Sequence, residues 1–496
     1  MSQARKMSGT FTIGGEHIQG ELILDGEDTK LNLISRNKIP YNLEPHSIFG
    51  ETLDHKKISL YECVGYATWA EGTYPNPVYR REVFPHYTAI GSQHIDWNEE
   101  TFRSISFKTT DLGLIFSERG TFGSTWIEPK KLRELLDEKN DTDHKDVGDT
   151  PLIFYYSGSR SLKPTSLNMG DLSTTLVFNA NTDDATGIRC DADRVATLTC
   201  NKPKSIDQLL TDADSILDFL AVIAGRPQVI TDIIVSAAVD NTLTTQTDKV
   251  YVYWHLAPAK TSATKPNRRY VPLTPDMDED EFHRVFVNWT NKHHEWSVAR
   301  KRILRWQASC HHYDENRLIA AVNAFDILPD KIYPKVGTLS KEAEAKKADC
   351  KEIIKKLPHG NERSQILNTL KFWGSQLRDK ILERSNIIKI QLNAHLPQLD
   401  ELLIIGLKAR NFYVHGTDYG HQHYEDLTIF LTNTMEFVFL ASDLVECGWN
   451  LAKWADGEPS SGHPMASYLY SYKSDIIKFN SAKARASEKT RHSEEP

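Results

Sequence analysis

An arginine, an asparagine and a histidine interrupt an otherwise apolar helical segment toward the C-terminal end of the chain. The segment reads LDELLIIGLKARNFYVHG, and the three polar residues are Arg410, Asn411 and His415. A guanidinium keeps its charge at physiological pH, whereas an imidazole gains and loses a proton near neutrality. An imidazole could take the proton of an RNA 2′-hydroxyl or protonate the 5′-oxygen leaving group, while Arg410 offsets charge on the phosphoryl oxygens. These residue types therefore suit phosphodiester cleavage that requires no metal ion.

The spacing of the apolar residues predicts how a helix would present these side chains. Apolar residues at 399, 402, 403 and 406 recur at helical spacing, and Arg410 is the next member of that stripe. Asn411 and His415 are four residues apart on a second face, which also runs through Ile404 and Leu407. In a helix with two apolar faces, one face can pack inside its own bundle and the other can pack against a different surface. We therefore expect a partner subunit against the second face.

Gly416 predicts the end of this helix, because glycine readily adopts the left-handed conformation of a C-terminal cap. His415 then lies in the last turn, where the helix dipole favours the protonated imidazole. Two non-catalytic interpretations stay open. Arg410 could form a buried ion pair with an acid such as Asp326, and His415 could cap the helix end by bonding its carbonyl groups.

An arginine followed by a histidine at similar spacing occurs twice elsewhere, so the spacing alone does not identify a site. Arg81 and His86 lie among predicted strands with a proline between them, and Arg305 precedes His311 and His312 at the end of a tryptophan-rich helix.

The loop after the helix, HGTDYGHQHYED, could suggest a metal site. Its donors lie on both sides of a glycine-containing loop and do not form an H-E-x-x-H helix, so we predict no metal. The chain has no G-x-x-x-x-G-K-[ST] phosphate-binding loop either, and we predict no cofactor.

The remaining elements predict a multidomain α+β protein. Residues 1–200 contain short β-branched or aromatic runs between turn residues, which predict an antiparallel β-rich domain, either a sandwich or an open barrel. The runs are GELILD, KLNLIS, ISLYECV, RSISFK, LGLIF, LIFYY, TTLVF and VATLTC. Residues 201–312 predict a mixed α/β connector, whose first helix begins with a Ser205/Gln208 capping box and stops at Gly225.

Two segments follow the connector. Residues 313–455 predict an all-α bundle of helices with short connections. Residues 479–496 lack apolar side chains large enough to build a core, and we predict a disordered tail.

Composition bounds the class of protein and its compartment. The chain has 496 residues, 40% hydrophobic and 25% charged, as expected for a folded protein of several domains. Its six cysteines form no C-x-x-C pair, which argues against a zinc module or a secreted disulfide framework. No secretory h-region and no membrane-length apolar run is evident, so we expect a cytoplasmic bacterial protein without a membrane partner.

The net charge of −8 is unevenly distributed. Fourteen Lys/Arg against seven Asp/Glu between 331 and 392 give that segment +7, so the remainder sums to −8 − 7 = −15. The segment could steer a polyanion or could be a solvated helix surface, and both interpretations stay open.

The segment with Arg410, Asn411 and His415 resembles the signature of a known family. R-N-x-x-x-H at the end of the penultimate long helix of a C-terminal bundle resembles the HEPN (higher eukaryote and prokaryote nucleotide-binding) signature. With GELILDGEDTKLNLIS, SIDQLLTDADSILDFLAVIAGRP and NRLIAAVNAFDIL, the chain resembles the ApeA family of bacterial abortive-infection proteins from about residue 8 to about residue 450.

The resemblance implies an anti-phage protein with an N-terminal sensing or regulatory region and a C-terminal HEPN ribonuclease. It also implies that the motif helices of two protomers line one composite site. Arg410, Asn411 and His415 match the signature, with Asn411 expected to position its neighbours or the phosphate. Asp326 stands where relatives often carry glutamate, and its role stays open.

The leading hypothesis is a homodimeric endoribonuclease that is inactive until infection and then cleaves host RNA, with tRNA a candidate target. A phage-derived trigger would act on the N-terminal region. The alternative is a non-catalytic protein that binds a ligand or a phage protein and whose helical bundle only dimerises. A third interpretation, an accessory role in nucleotidyl transfer, would need a separate nucleotidyltransferase.

Overall fold

The structure is a computed structural model. It describes residues 4–40, 47–65, 68–72, 75–118, 120–138, 147–158, 162–183, 187–237, 249–255, 265–307, 312–332, 340–371, 377–392, 395–417, 419–460 and 462–494. The chain divides into two compact units. The first comprises Met1–Leu220, Gln228–Ala259 and Leu273–His283, and the second comprises Ala221–Pro227, Lys260–Pro272 and Arg284–Pro496. The segment 201–312, predicted as a separate connector, contributes to both.

The strands of the described residues all lie in the first unit. They are β1 (Arg5–Ile13), β2 (Glu16–Leu24), β3 (Lys30–Ser35), β4 (Ser47–Thr52), β5 (Lys57–Tyr61), β6 (Val64–Gly65), β7 (Trp69–Glu71), β8 (Val78–Phe84), β9 (Tyr87–Gly91), β10 (Phe102–Thr109), β11 (Phe122–Trp126), β12 (Leu152–Tyr156), β13 (Thr165–Leu167), β14 (Gly170–Asp183), β15 (Gly187–Lys204), β16 (Ile230–Ser236) and β17 (Lys249–Trp254).

Fifteen of these strands form one antiparallel sheet, and β11 and β12 form a separate ribbon. The order in the sheet is β13-β14-β15-β10-β16-β17-β9-β5-β4-β1-β2-β3-β8-β6, with β7 paired to β8. The predicted β-rich N-terminal region followed by helices is confirmed. KLNLIS and LIFYY coincide with β3 and β12 residue for residue.

Alternation of apolar and polar residues explains why these strands enclose a core. Successive side chains of a strand point to opposite faces, and Phe11, Leu22 and Leu31 from three neighbouring strands are completely buried in one cluster. Gly50 lies opposite Phe11 in the register of β1 and β4. A Cβ at position 50 would approach the Phe11 ring to 2.3 Å, so the aromatic side chain fits because position 50 has none.

Two helices of the first unit precede the β13–β15 hairpins, α1 (Leu112–Ile115) and α2 (Pro129–Asp137). The prediction of a strand at LGLIF was wrong, because its first four residues form the single turn of α1. The Asp111 carbonyl oxygen accepts hydrogen bonds from the N–H groups of Leu114 and Ile115, both at 3.0 Å. A short apolar run has no periodicity that separates a strand from one buried helical turn.

Helix α3 (Ile206–Ala224) begins and ends as predicted. The Ser205 N–H donates to Gln208 Oε1 at 3.1 Å and the Gln208 N–H donates to Ser205 Oγ at 3.3 Å, which is a reciprocal capping box. Gly225 follows with φ of 70°.

The second unit contains most of the helices. They are α4 (Glu279–Gln307), α5 (Glu315–Ile327), α6 (Lys341–Lys355), α7 (Asn361–Lys371), α8 (Leu377–Leu392), α9 (Leu399–His415), α10 (Thr428–Glu446), α11 (Leu451–Asp456) and α12 (Pro464–Glu494), with α4 beginning in the first unit. Helices α5, α8, α9 and α10 pack on one another, and α12 packs on α10. The predicted all-α bundle is confirmed.

Helix α12 corrects the prediction of a disordered tail from residue 479 onward. Phe479 and Ala482 are each 1% exposed, and the Phe479 ring lies 6.2 Å from the ring of Tyr424. The apolar stripe of this helix begins upstream, where the Tyr472 hydroxyl donates to the Pro397 carbonyl at 2.6 Å. Residues 479–496 were assessed without the residues before them, so the continuation of the apolar stripe was not recognised.

The segment Glu425–Glu446 is long and apolar enough to cross a membrane by length and composition. The expectation that no apolar run reaches that length was therefore wrong. Most of this segment is buried inside the second unit, where its apolar residues pack against neighbouring helices.

Candidate active site

Helix α9 presents the three predicted residues at its C-terminal end. Leu399, Leu402 and Leu403 are buried on the bundle side, as their spacing predicts. Gly416 ends the helix with φ of 69°, and its N–H donates to the Phe412 carbonyl oxygen at 2.8 Å. The predicted glycine cap is confirmed, and it leaves His415 as the last helical residue.

Arg410 joins the polar groups of this end through one guanidinium. Its Nε donates to Asn323 Oδ1 at 3.0 Å, and its Nη1 lies 3.1 Å from Asn411 Oδ1 and 3.3 Å from His415 Nε2. Its Nη2 makes no hydrogen bond to any residue that the structure describes. The guanidinium is therefore fixed on one side and has donors left on the other.

The contact with Arg410 defines which nitrogen of His415 carries a proton. An arginine N–H can only donate, so Nε2 accepts and the proton of the neutral imidazole is on Nδ1. The side chain of His415 is exposed, whereas Arg410 and Asn411 are half-buried. Nε2 is therefore the acceptor in this contact, on an exposed imidazole next to a permanent cation.

Asn323 is the residue of this cluster that the sequence analysis missed. It lies on α5, which is capped by Asp314 and tied to α10 by a buried ion pair between Arg317 and Glu436, with distances of 2.7 and 2.9 Å. An asparagine on an apolar helix face was the available signal, because a buried amide needs a polar partner.

Asp326 lies one turn further along α5 than Asn323, and it is Asn323 that contacts Arg410. Its carboxylate is 57% exposed and 3.6 Å from Lys380 Nζ. The interpretation of a buried Arg410–Asp326 pair is therefore wrong, and the acid that stands where relatives often carry glutamate faces a lysine.

An aromatic cluster holds the loop that follows α9. The His421 ring stacks on Phe412 with centroids 4.4 Å apart and planes at 18°. Its Nδ1 lies 3.2 Å from the Tyr419 hydroxyl and its Nε2 lies 3.4 Å from the Tyr413 hydroxyl. Burial raises the pKa of Tyr413, and Glu315 and Glu425 act in the same direction.

The described residues of this loop, which leave out Asp418, bring no metal-binding group together. Among the described residues, no group of three or more His, Cys, Asp or Glu side chains could hold a metal ion. The packing of His421 against Phe412 explains why a histidine-rich sequence produces none here.

The two other arginine–histidine stretches have different surroundings. Arg81 is buried and its Nη1 donates to the Pro40 carbonyl at 2.6 Å, whereas His86 lies 3.4 Å from the Trp254 indole nitrogen. Arg305 lies at the end of α4, and His311 falls outside the described residues.

The part of the chain that the structure describes covers the second face of α9 only partly. Ile404 and Leu407 are half-buried, and Val414 is 43% exposed beside the polar cluster. This face runs up to His415, so any surface that covers it would also meet the imidazole.

Comparison with known families agrees with this arrangement. Residues 6–289 match the family model ApeA N-terminal domain 1, and residues 319–453 match the family model Apea-like HEPN. The chain belongs to the ApeA family. The resemblance inferred from sequence is confirmed, and the polar cluster lies inside the matched HEPN domain. No curated protein and no solved structure matches the chain.

The ApeA match also defines the role of the regions in outline. It indicates an anti-phage defence protein with a C-terminal HEPN nuclease domain, and HEPN domains typically dimerise and act on RNA. The N-terminal match includes residues 201–289, most of the predicted connector.

Proposed function

We propose that this ApeA-family protein is a cytoplasmic, homodimeric endoribonuclease that cleaves host RNA during phage infection and so stops phage multiplication. Arg410, Asn411 and His415 would form its site, without a metal ion. The observation that carries the proposal is the 3.3 Å contact between Arg410 Nη1 and the accessible His415 Nε2 inside the matched HEPN domain.

The arrangement of Arg410 suits a phosphodiester. Asn323 and Asn411 hold two sides of the guanidinium, and the Nη2 donors are left for phosphoryl oxygens. Hydrogen bonds to ionised partners are about twice as strong as those between neutral groups. A preoriented guanidinium stabilises the charge that develops on the phosphoryl group without reorganising during the reaction.

The reaction would proceed by attack of the 2′-oxygen on the adjacent phosphorus. The 2′-hydroxyl replaces Arg410 Nη1 as the donor to His415 Nε2 and gives up its proton there. The new 2′-oxygen–phosphorus bond forms, and the bond from phosphorus to the 5′-oxygen breaks. An imidazolium returns a proton to that 5′-oxygen. The products are a 2′,3′-cyclic phosphate and a 5′-hydroxyl end.

With two imidazoles in the site, the general acid and the general base can be different side chains. In a symmetric dimer that pairs the second faces of α9, the His415 side chains of the two protomers would lie on one composite site. One imidazole could then act as base while the other acts as acid. The exposed face through Leu407 and Val414 supports this pairing.

The test is cleavage of total bacterial RNA in EDTA by the purified protein and three variants, with fragment ends identified by sequencing. Arg410→Ala and His415→Ala should lose at least about a hundredfold in rate, the usual scale for a general base or an electrostatic donor. Lys473→Ala is the control, because Lys473 is an exposed cation on a different helix, α12, and should cleave as the wild type does.

Folding and dimerisation of each variant are measured by circular dichroism and gel filtration. Equal cleavage by His415→Ala and wild type would remove His415 from the mechanism. We also propose that a phage-derived trigger acts on the N-terminal region, so the reactions are repeated with lysate from infected cells. Intact RNA under all of these conditions, with dimers present, would instead support the non-catalytic alternative.

A further inference from the structure

The first unit contains a cavity of about 710 Å³ that the nuclease proposal does not use. It lies between the ends of β4 and β5, the loop 92–101 and the start of α3. Its lining combines aromatic rings with carboxylates, and no lysine or arginine is among the described residues that line it. Pockets of this size hold small molecules or the side chains of a bound peptide.

The aromatic wall is built from rings in mutual contact. Trp97 is only 8% exposed, and its ring lies 4.9 Å from that of Tyr61 and 4.6 Å from that of Tyr87. Phe49 continues the wall toward His94, with centroids 5.3 Å apart. The Tyr61 hydroxyl donates to the Ile95 carbonyl oxygen, which fixes the loop over the cavity.

Three carboxylates surround this wall. Glu62, Asp96 and Asp207 all line the cavity and are exposed to it, and within the described part of the chain none of them pairs with a lysine or arginine. Burial raises the pKa of Tyr87 to about 12, and the charges of Glu62 and Asp207 add to the rise. The cavity is therefore a region of negative potential.

The histidine of the lining is disfavoured in its positively charged form. Burial lowers the pKa of His94, and the charge of Lys57 lowers it further. Lys57 itself is paired with Glu51. Among the described residues, no cationic side chain therefore pairs with the three carboxylates at the mouth of the cavity.

The backbone at Glu62 also distinguishes this edge of the sheet. Glu62 has φ of 50° at the end of β5, a conformation that residues with a Cβ rarely adopt. Such conformations persist where the surroundings hold them and are concentrated at binding sites. Here the conformation places a carboxylate at the cavity.

The arrangement favours one class of ligand. No group of three His, Cys, Asp or Glu side chains in the described residues could hold a metal ion, so the three carboxylates do not form a metal site of that kind. Aromatic faces attract organic cations, and carboxylates pair with their N–H groups. We propose that this cavity binds an organic cation, an alkyl ammonium or alkyl guanidinium group, against the half-buried ring of Phe49 and between Glu62, Asp96 and Asp207.

The cation could be a free amine or the side chain of a basic peptide, and both share this chemistry. The proposal does not depend on the assignment of the ribonuclease site, because every residue it uses lies in the first unit. A binding site in this unit would suit its predicted sensing role.

The test is isothermal titration calorimetry of the full-length protein with butylguanidinium and with butylurea, a neutral molecule of nearly the same shape. Butylguanidinium should bind, and binding to Glu62→Gln/Asp207→Asn should be weaker by about tenfold. Glu134→Gln is the matched control, because Glu134 is an exposed carboxylate on α2. It should bind as the wild type does.

A peptide with one arginine among glycines and serines separates the two sources. Binding at least as tight as that of butylguanidinium identifies a protein side chain, whereas weaker binding identifies a free organic cation. If the double variant does not fold, Asp96→Asn replaces it, since that amide can still accept from the Asn98 N–H, now 3.0 Å from Asp96 Oδ1.

Three results would overturn the proposal. They are no binding of butylguanidinium to the wild type, equal binding of butylurea, and unchanged affinity in the folded charge-removal variants.

Discussion

At the scale of single residues, the sequence located the candidate site but did not resolve its contacts. The stripe through α9 placed Arg410 next to the bundle, and the glycine at 416 placed His415 at the helix end. Both follow from local geometry. Asn323 was missed because it is 87 residues away from Arg410 along the chain, and such a contact depends on how two helices pack. Asp326 was the more conspicuous candidate because it carries charge.

Asn323 should act as a positioning residue for Arg410. Asn323→Ala removes the acceptor of Arg410 Nε, and a misplaced guanidinium should slow RNA cleavage by about a hundredfold. Asn323→Asp keeps an acceptor and should retain most of the rate. Cleavage rates are compared at equal thermal stability, measured by circular dichroism.

Asp326→Asn is the control for Asn323, since both residues lie on α5 and Asp326 faces Lys380. It should cleave as the wild type does. Wild-type rates in Asn323→Ala would show that Arg410 is held in place without this contact, and the role assigned to Asn323 would be wrong.

At the scale of elements, periodicity predicted the long helices and alternation predicted most strands. The capping box and Gly225 fixed both ends of α3, because these signals act within a few residues. The errors occurred where the local pattern was ambiguous or was cut short. LGLIF is too short to show a hydrophobic period. The predicted start of the tail at residue 479 falls in the middle of the apolar stripe of α12.

Helix α12 gives the prediction that belongs to this scale. Phe479→Ala should lower the free energy of unfolding by about 3–5 kcal/mol, the usual cost of removing a buried aromatic side chain. The measurement is urea denaturation followed by tryptophan fluorescence. Ser481→Ala changes an exposed residue of the same helix and serves as the control.

An unchanged urea midpoint for Phe479→Ala would contradict the packing of α12. It would restore the earlier expectation that the chain has no ordered structure beyond residue 479.

At the scale of the whole molecule, the division into two compact units could not be predicted from composition. Helices α3 and α4 each contribute residues to both units, so neither predicted boundary, at 200 or 312, coincides with an end of these units. The end of α3 belongs to the second unit, where His463 Nε2 donates to the Val222 carbonyl at 3.2 Å. His463 Nδ1 accepts from the Met465 N–H at 3.2 Å.

His463 should make the second unit sensitive to acid. Its side chain is neutral with both nitrogens bonded, and burial lowers its pKa to about 4. The unfolded chain binds this proton near pH 6.5 and the folded chain does not, so stability falls as the pH decreases from about 6.5 to about 4. The loss should reach about 3 kcal/mol.

Urea denaturation at several pH values measures this effect. His463→Gln should flatten the dependence in that window, whereas His359→Gln, at an exposed histidine, should leave it unchanged. The same slope in His463→Gln and wild type would show that other groups cause the acid sensitivity.

The proposed composite site makes a quantitative prediction for mixed dimers. If the His415 of each protomer supplies one of two proton transfers, a dimer with one His415→Ala copy is inactive. Equal amounts of wild-type and variant subunits that assemble at random into symmetric dimers should then retain roughly a quarter of the activity. Independent sites, each complete within one protomer, should retain roughly half.

Co-expression of two differently tagged copies at equal levels provides this comparison, with two wild-type copies as the reference. The contact between Arg410 and His415 lies within one protomer, so these two residues alone would allow independent sites. A retained activity near one half would therefore confine the chemistry to a single protomer and remove the need for two imidazoles.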